Sequence, residues 1–270
     1  MIIDGTTIAK DIIERLRALP KAGKFFGAAL VGDDAASLNF LKQKERVARE
    51  LGIEFRLHQL PSTITTDALR GEIGRLAAPK TCGGFIVQLP LPDEINRYYV
   101  LNAIPKEKDV DCLSEAALGA FYTGRGMIAP PSVAAVEEIL KGDRRDLREL
   151  KAVVVGAGFL IGKPVAFWLQ NRVAELVVLD ADVRDVRGKL GDADIVVCGA
   201  GHANLFAAAN VKAGALVIDF GFNQTAAGKI AGDFDPAGAD KKGVHYTKTP
   251  GGTGPVLVAK LFENFCTLNG

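Results

Sequence analysis

Val153-Val154-Val155-Gly156-Ala157-Gly158-Phe159-Leu160-Ile161-Gly162 is an apolar strand pattern running into a glycine-spaced turn and then a helical stretch. Glycines there permit a tight turn and close backbone approach, and the N–H groups that open the next helix face a pyrophosphate. The spacing is GxGxxxG, one residue longer than the strict dinucleotide fingerprint, so context has to support it. A second strand pattern, Glu175-Leu176-Val177-Val178-Leu179-Asp180, follows at the distance of a βαβ unit and ends in a carboxylate. That acid can accept hydrogen bonds from adenosine ribose hydroxyls and would repel a ribose phosphate. The alternative is that Asp180 or Asp182 simply caps the next helix.

The first half of the chain offers a different chemistry. Phe40, Lys44, Val47 and Leu51 fall on one stripe at helical spacing. A lysine inside an apolar stripe is either a snorkelling boundary residue or a desolvated amine with a pKa low enough for proton transfer. Gly84-Phe85-Ile86-Val87-Gln88-Leu89-Pro90-Leu91-Pro92 is a strand ending in a glutamine and two prolines, and Lys108-Asp109-Val110-Asp111 is a charged loop. Strand ends of parallel sheets line ligand crevices. Equally, Gln88 fits ordinary edge polarity, and Asp109 or Asp111 fits a turn-forming role.

The elements that must position these residues alternate between strand and helix, which predicts an α/β architecture of parallel βαβ units. Strands are expected at Phe25 to Val31, Glu54 to His58 and Gly84 to Leu89, with helices at Ala36 to Leu51 and Asp67 to Ala77. The second half predicts strands at Lys151 to Gly156, Glu175 to Asp180, Asp194 to Cys198 and Leu216 to Phe220. Between the halves lies a Gly-, Pro- and charge-rich segment with a helical stretch, Val133 to Leu140, expected to bridge them. A last helix through Leu257, Leu261 and Phe265 is expected to pack back on the first half. The expectation is two doubly wound domains, the second of Rossmann type, with an active-site cleft between them. Their bounds are 1–122 with the terminal helix 256–270, and 123–255.

Composition agrees with small-molecule chemistry. Hydrophobic residues are 48% of the 270 and charged residues 24%, enough for packed cores, and the net charge of +1 is dispersed. No basic stripe points to nucleic acid, and no stretch is long and apolar enough to span a bilayer. Cys82, Cys112, Cys198 and Cys266 form no CxxC pair, so neither a metal site nor a disulfide framework is indicated. Reduced thiols and the absence of a leader pattern make the cytoplasm the expected location.

Taken together these segments resemble the methylenetetrahydrofolate dehydrogenase/cyclohydrolase family, in order along almost the whole chain. The carrying motifs are Val31-Gly32 with Ala36-Ser37-x-x-Phe40-x-x-x-Lys44, Ile86 to Pro92, and Lys108-Asp109-Val110-Asp111. Further on are Asp219-Phe220-Gly221-Phe222-Asn223, Gly232-Asp233 and Pro250-Gly251-Gly252-Thr253-Gly254-Pro255. The resemblance implies oxidation of methylenetetrahydrofolate with NAD(P), followed in most members by hydrolysis of the methenyl product to formyltetrahydrofolate. It implies Lys44 as the proton-handling residue, Gln88 as its orienting partner, Asp111 as the anchor of the pterin N–H edge, and residue 40 as the stacking surface. Ser37, Leu89, Pro90, Pro250, Gly251 and Gly252 are implied as substrate-facing. Gly156, Ala157, Gly158, Gly162, Asp180, Ala181 and Phe222 are implied as cofactor-facing. A tetrahydrofolate derivative is the implied ligand and a homodimer the implied assembly.

The departures are as specific as the matches. Phe40 stands where tyrosine is usual and lacks its hydroxyl, Gly83 stands where an acid is common, and Cys112 stands where glycine is common. Leu257 replaces a customary threonine, and Pro131-Ser132-Val133 echoes the family only loosely. Ala157-Gly158 stands where NADP-using relatives carry Arg-Ser. With Asp180, this favours NAD over NADP, and Lys163 or Arg184 are the cations that could still receive a ribose phosphate. The alternatives to a bifunctional enzyme are a dehydrogenase without hydrolase activity and a relative that binds without turnover.

Overall fold

Strands buried on both faces carry unbroken apolar runs, and such runs set the architecture of this chain. The structure, a computed structural model, describes residues 1–180, 185–225 and 228–270. The chain opens with β1 (Ile2–Ile3), α1 (Gly5–Arg17), β2 (Phe25–Val31), α2 (Ala35–Leu51), β3 (Phe55–Leu60), α3 (Thr66–Ala77) and β4 (Cys82–Val87). It continues through α4 (Arg97–Leu101), α5 (Glu115–Tyr122), α6 (Pro131–Leu140), β5 (Lys151–Val155), α7 (Gly162–Leu169), β6 (Glu175–Leu179) and β7 (Ile195–Cys198). The last part holds β8 (Phe206–Ala207), β9 (Leu216–Asp219), β10 (Asn223–Gln224), β11 (Ile230–Ala231), β12 (Phe234–Asp235), β13 (His245–Thr247) and α8 (Thr253–Asn269).

The chain divides into two units: Lys10–Pro131 with Val258–Gly270, and Met1–Ala9 with Ser132–Leu257. Residues 1–9 go with the later unit, not with the first half as the sequence led us to expect. The reason is that β1 pairs in parallel with β13, Ile2 opposite Tyr246 and Ile3 opposite Thr247. Residues 123–131 stay with the earlier part of the chain.

In the first of these units β3-β2-β4 form a parallel sheet, and every residue of β2 and of β4 is buried. The edge strand β3 has no fully buried residue, and Arg56, Leu57 and Gln59 are exposed. α8 covers the sheet with Phe262 and Phe265, whose rings stand 5.0 and 5.6 Å from that of Phe26. All three are buried, and each such side chain contributes about 1.5–3 kcal/mol of apolar burial. The expected return of the last helix onto the first half is therefore met. The helix comes close because β4 carries glycines beneath it. A Cβ on Gly83 would lie 2.9 Å from Phe265 Cε2, from Asn269 Oδ1 and from Lys24 Cβ.

The second unit is a six-stranded sheet in the order β1-β13-β9-β7-β5-β6, parallel at every pairing. Its central strands are apolar apart from Lys151 at the start of β5 and Asp219 at the end of β9, and Val153, Val155, Val196, Val217, Phe206 and Phe234 lie in one buried cluster. From β5 the chain passes to β6 on one side and then to β7 on the other, so the topological switch point lies between β5 and β7. No helix among the described residues is long and apolar enough to cross a membrane.

The acid that the resemblance leads one to expect at position 83 has no room here. Gly83→Asp should lower stability by about 1–3 kcal/mol, the usual cost of overpacking, read as the urea midpoint. Phe265→Leu in the same chain should recover part of the loss. A Gly83→Asp protein as stable as the parent would contradict this packing.

Candidate active site

α2 starts where Asp34 accepts the Ser37 N–H at 2.7 Å and stops at Gly52, left-handed at φ 67°. Between those signals Ser37, Leu41, Lys44, Val47, Ala48 and Leu51 are buried, while Phe40 sits partly exposed at the margin of the stripe. Lys44 is 5% exposed, so its ammonium does not reach water as a snorkelling side chain does. Nζ donates to Gln88 Oε1 at 2.9 Å and stands 4.7 Å from the centre of the Phe40 ring. Gln88 follows β4, its backbone N–H donating to Ala29 O at 2.8 Å and its side-chain Nε2 to Leu89 O at 2.7 Å. Committing the amide nitrogen to Leu89 leaves the amide oxygen for the lysine. The chain then leaves the sheet through a cis Leu89–Pro90 bond, with Leu89 partly exposed and Pro90 exposed.

The Lys108–Asp111 loop is pinned at both ends. Lys108 Nζ donates to the carbonyls of Ala77 (2.6 Å), Ala78 (3.0 Å) and Pro79 (2.9 Å), closing the C-terminus of α3. Asp109 is fully buried and accepts the N–H groups of Leu113 at 3.0 Å and Ser114 at 2.7 Å, and it forms a parallel bridge with Phe85 of β4. Asp109 is thus the turn-former of the two acids. Asp111, partly exposed, accepts no hydrogen bond from the described residues. Cys112 follows it with a left-handed φ of 56°, which explains why glycine is the easier residue at this position.

Burial lowers the Lys44 pKa to about 8, and the Asp111 carboxylate opposes that fall. Burial likewise raises Asp111 to about 6, against the pull of the Lys44 charge. The structure therefore brings Lys44, Gln88, Phe40 and Asp111 together, with Ser37 two helical turns from Lys44 on α2. At neutral pH both members of the coupled pair are mainly charged, and a modest further push leaves the amine neutral.

The remaining candidates lie in the other unit. Gly156 has φ 91° and donates its N–H to Leu179 O at 2.8 Å. A Cβ on Gly162 would collide with the Gly156 carbonyl, so the last glycine of the motif is required by packing of turn against helix. Gly158 is exposed, and a Cβ there would meet nothing within 4 Å. α7 begins after Ile161 with no side-chain cap; in its first turn the Lys163 N–H donates to Gly158 O at 3.0 Å and Pro164 has no N–H. An open glycine before an uncapped helix fits a dinucleotide pyrophosphate. Ala157 is partly exposed, Asp180 and Lys163 are exposed, and Phe222 is 64% exposed. Ala181 and Arg184 lie outside the described residues. Pro250 follows a cis bond, Gly251 has φ 94°, and Gly252 is packed so tightly that a Cβ there would collide with the Lys248 carbonyl. Sequence reasoning gave no role to Ser132, whose Oγ donates to Leu160 O at 2.7 Å and steadies the glycine turn. Its only signal was a small hydroxyl residue at a helix start.

Because Asp111 holds the Lys44 pKa up, Asp111→Asn should move it below about 8. The Cε chemical shift of isotope-labelled lysine against pH reads this directly. An unmoved or raised midpoint would show that the two side chains are not coupled.

Residues 3–111 match the tetrahydrofolate dehydrogenase/cyclohydrolase catalytic domain, and residues 130–269 match the NAD(P)-binding domain of the same family. Among curated relatives, the bifunctional protein FolD of Cupriavidus metallidurans is 36% identical over 97% of this chain and 94% of its own length. The bifunctional FolD methylenetetrahydrofolate dehydrogenase/cyclohydrolase of Campylobacter jejuni superposes with a TM-score of 0.92 at 32% identity, over 100% of this chain and 98% of that one. The Trypanosoma brucei enzyme, solved with NADP and an inhibitor, gives 0.91 at 29% identity, over 100% and 97%. This chain belongs to the tetrahydrofolate dehydrogenase/cyclohydrolase family.

Proposed function

We propose that this chain oxidises methylenetetrahydrofolate to methenyltetrahydrofolate with a nicotinamide dinucleotide and hydrolyses the product to formyltetrahydrofolate. The observation that carries the reading is the buried Lys44–Gln88 hydrogen bond beside Phe40 and Asp111, in a chain of this family. The unit containing Lys44 binds the folate. Asp111 takes the pterin N–H edge, Phe40 supplies the aromatic face, and Ser37, Leu89 and Pro90 line the substrate. Pro250, Gly251 and Gly252 are further substrate-facing positions, and a homodimer is the proposed assembly.

The glycine turn of Gly156, Ala157, Gly158 and Gly162 holds the pyrophosphate, with Asp180 and Ala181 at the adenosine end and Phe222 also facing the cofactor. When bound, the dinucleotide supplies the hydride acceptor, and positioning accounts for most of what the protein adds. In the hydrolytic step a water oxygen bonds to the methenyl carbon, its proton passes to Lys44 Nζ, and a carbon–nitrogen bond opens as the leaving nitrogen is protonated. With a pKa of about 8, the amine is neutral in about one molecule in ten at pH 7. Gln88 keeps the amine aimed. Phe40 favours a second reading, a dehydrogenase without useful hydrolysis, because the hydroxyl of the usual tyrosine is missing beside the amine and only the ring face remains.

Appearance of methenyl absorbance with NAD, and then with NADP, tests the oxidation. NAD should be the better acceptor, since Asp180 repels a ribose phosphate, and Asp180→Ser should narrow the gap. A parent enzyme that prefers NADP would reverse this assignment.

Lys44→Met keeps most of the stem and removes the base. Hydrolysis of methenyltetrahydrofolate should fall by a factor of about 100 or more, while folate binding and some hydride transfer persist. Phe40→Tyr should raise hydrolysis in the same assay if the hydroxyl is limiting. Hydrolysis at the parent rate in Lys44→Met would remove Lys44 from the mechanism.

A further inference from the structure

The carboxyl ends of β7 and β9 meet over two buried acids, Asp219 and Asp233, which belong to motifs that the resemblance implied as cofactor- and folate-facing loops but to neither of which it gave an individual role. Asp233 is fully buried. Its carboxylate accepts the backbone N–H groups of Ala200 at 2.5 Å, Gly201 at 3.3 Å and His202 at 3.0 Å, and the side-chain N–H of Asn223 at 3.0 Å. Asp219, 2% exposed, accepts from Gly221 N at 2.7 Å, Phe234 N at 3.0 Å and Cys198 Sγ at 3.3 Å, and it also takes the Asp233 N–H at 3.3 Å. Ligand atoms of Cys198, Asp219 and Asp233 lie within 4.8 Å of one another, a spacing that by residue type suits a cation. The surroundings argue otherwise, because each of the four carboxylate oxygens already faces an N–H donor of the protein. The positive ends of those dipoles occupy the directions a metal would need.

What the network holds is the loop after β7, and that loop abuts the glycine turn. A Cβ on Gly156 would lie 2.9 Å from Ala200 Cα and 3.0 Å from Gly199 O. The two segments therefore meet at the switch point between β5 and β7, where open parallel sheets bind dinucleotides. With the adenosine half directed toward Asp180, just after β6, the nicotinamide half extends over the ends of β7 and β9. We infer that Asp233 is a positioning residue for the nicotinamide half of the dinucleotide, fixing the 200–202 loop and Asn223 as one preformed surface. Asp233 touches no ligand in this role. It sets the backbone that does.

The inference rests on the proposed dinucleotide chemistry, and the experiment separates the two. Asp233→Asn preserves shape but turns one oxygen into an N–H donor that must face other donors. NAD affinity, titrated by intrinsic fluorescence, should weaken roughly tenfold or more, the scale of losing charge-assisted hydrogen bonds. Affinity for ADP, which reaches only the glycine turn and the adenosine end, should change by less than about threefold. Hydrolysis of methenyltetrahydrofolate, which uses Lys44 in the other unit, should stay within about twofold. Should Asp233→Asn fail to fold, Asn223→Ala, which removes one donor from a partly exposed side chain, should still weaken NAD selectively. Unchanged NAD affinity, or equal losses in NAD, ADP and hydrolysis, overturns the positioning role. A parent protein that binds no NAD overturns the functional reading first, and this inference with it.

Discussion

A single amine taken out of water is the interaction on which the first half of this chain turns. Lys44 has one neutral acceptor in Gln88, one aromatic face in Phe40 and one carboxylate in Asp111 to answer the cost of burial. That environment is poised. With less compensation the lysine would be neutral and the helix would carry an ordinary apolar position, and with a direct ion pair it would be locked as a cation. Much of the nearby architecture fixes those three partners: the Ala29 bond that holds Gln88, the bridge between Phe85 and Asp109, and the capping of α3 by Lys108.

Both units solve the problem of aiming a loop in the same way. A buried aspartate collects successive backbone N–H groups and freezes the segment carrying them. Asp109 does this for 113–114, and Asp233 does it for 200–202. Such carboxylates are saturated, so their charge is spent on the backbone and they offer little to a ligand. Asp111 differs in kind: it sits two residues beyond Asp109, is partly exposed, and receives no such donors among the described residues. The contrast gives the scaffold role to Asp109 and leaves the Asp111 carboxylate open, as the proposed pterin contact requires.

Periodicity made the long elements legible. The strand at Phe25–Val31 and the helix ending at Leu51 have the bounds that apolar runs and a terminal glycine dictate, to within a residue. α1 carries Ile12, Ile13 and Leu16 on its buried side but opens on a glycine, which is a weak helix-start signal. β1 and β13 span two and three residues, too few for any period to register, and their pairing decides where the first nine residues belong. In the candidate site the residue types were readable, but the choice between Asp109 and Asp111 was not. It depends on which backbone donors fold back onto each acid. Asp233 was still less accessible, since its donors at 200–202 lie some thirty residues away along the chain.

The charge states of the central pair acquire a direction once the substrate is considered. Between about 6 and about 8 both Asp111 and Lys44 are charged, so the resting site is nearly neutral overall. The methenyl group that the proposed hydrolysis consumes is itself an amidinium-like cation. Placed near Lys44 it disfavours a second positive charge, and excluding water around the pair strengthens that effect. The proposed engagement of Asp111 by pterin N–H groups would draw the same way, because it turns part of the carboxylate's field from the lysine toward the ligand. Each contribution lowers the Lys44 pKa from a value already near neutrality, so arrival of the substrate produces the base that its hydrolysis needs. A site built around a surface lysine near 10.5 would have several kcal/mol further to go.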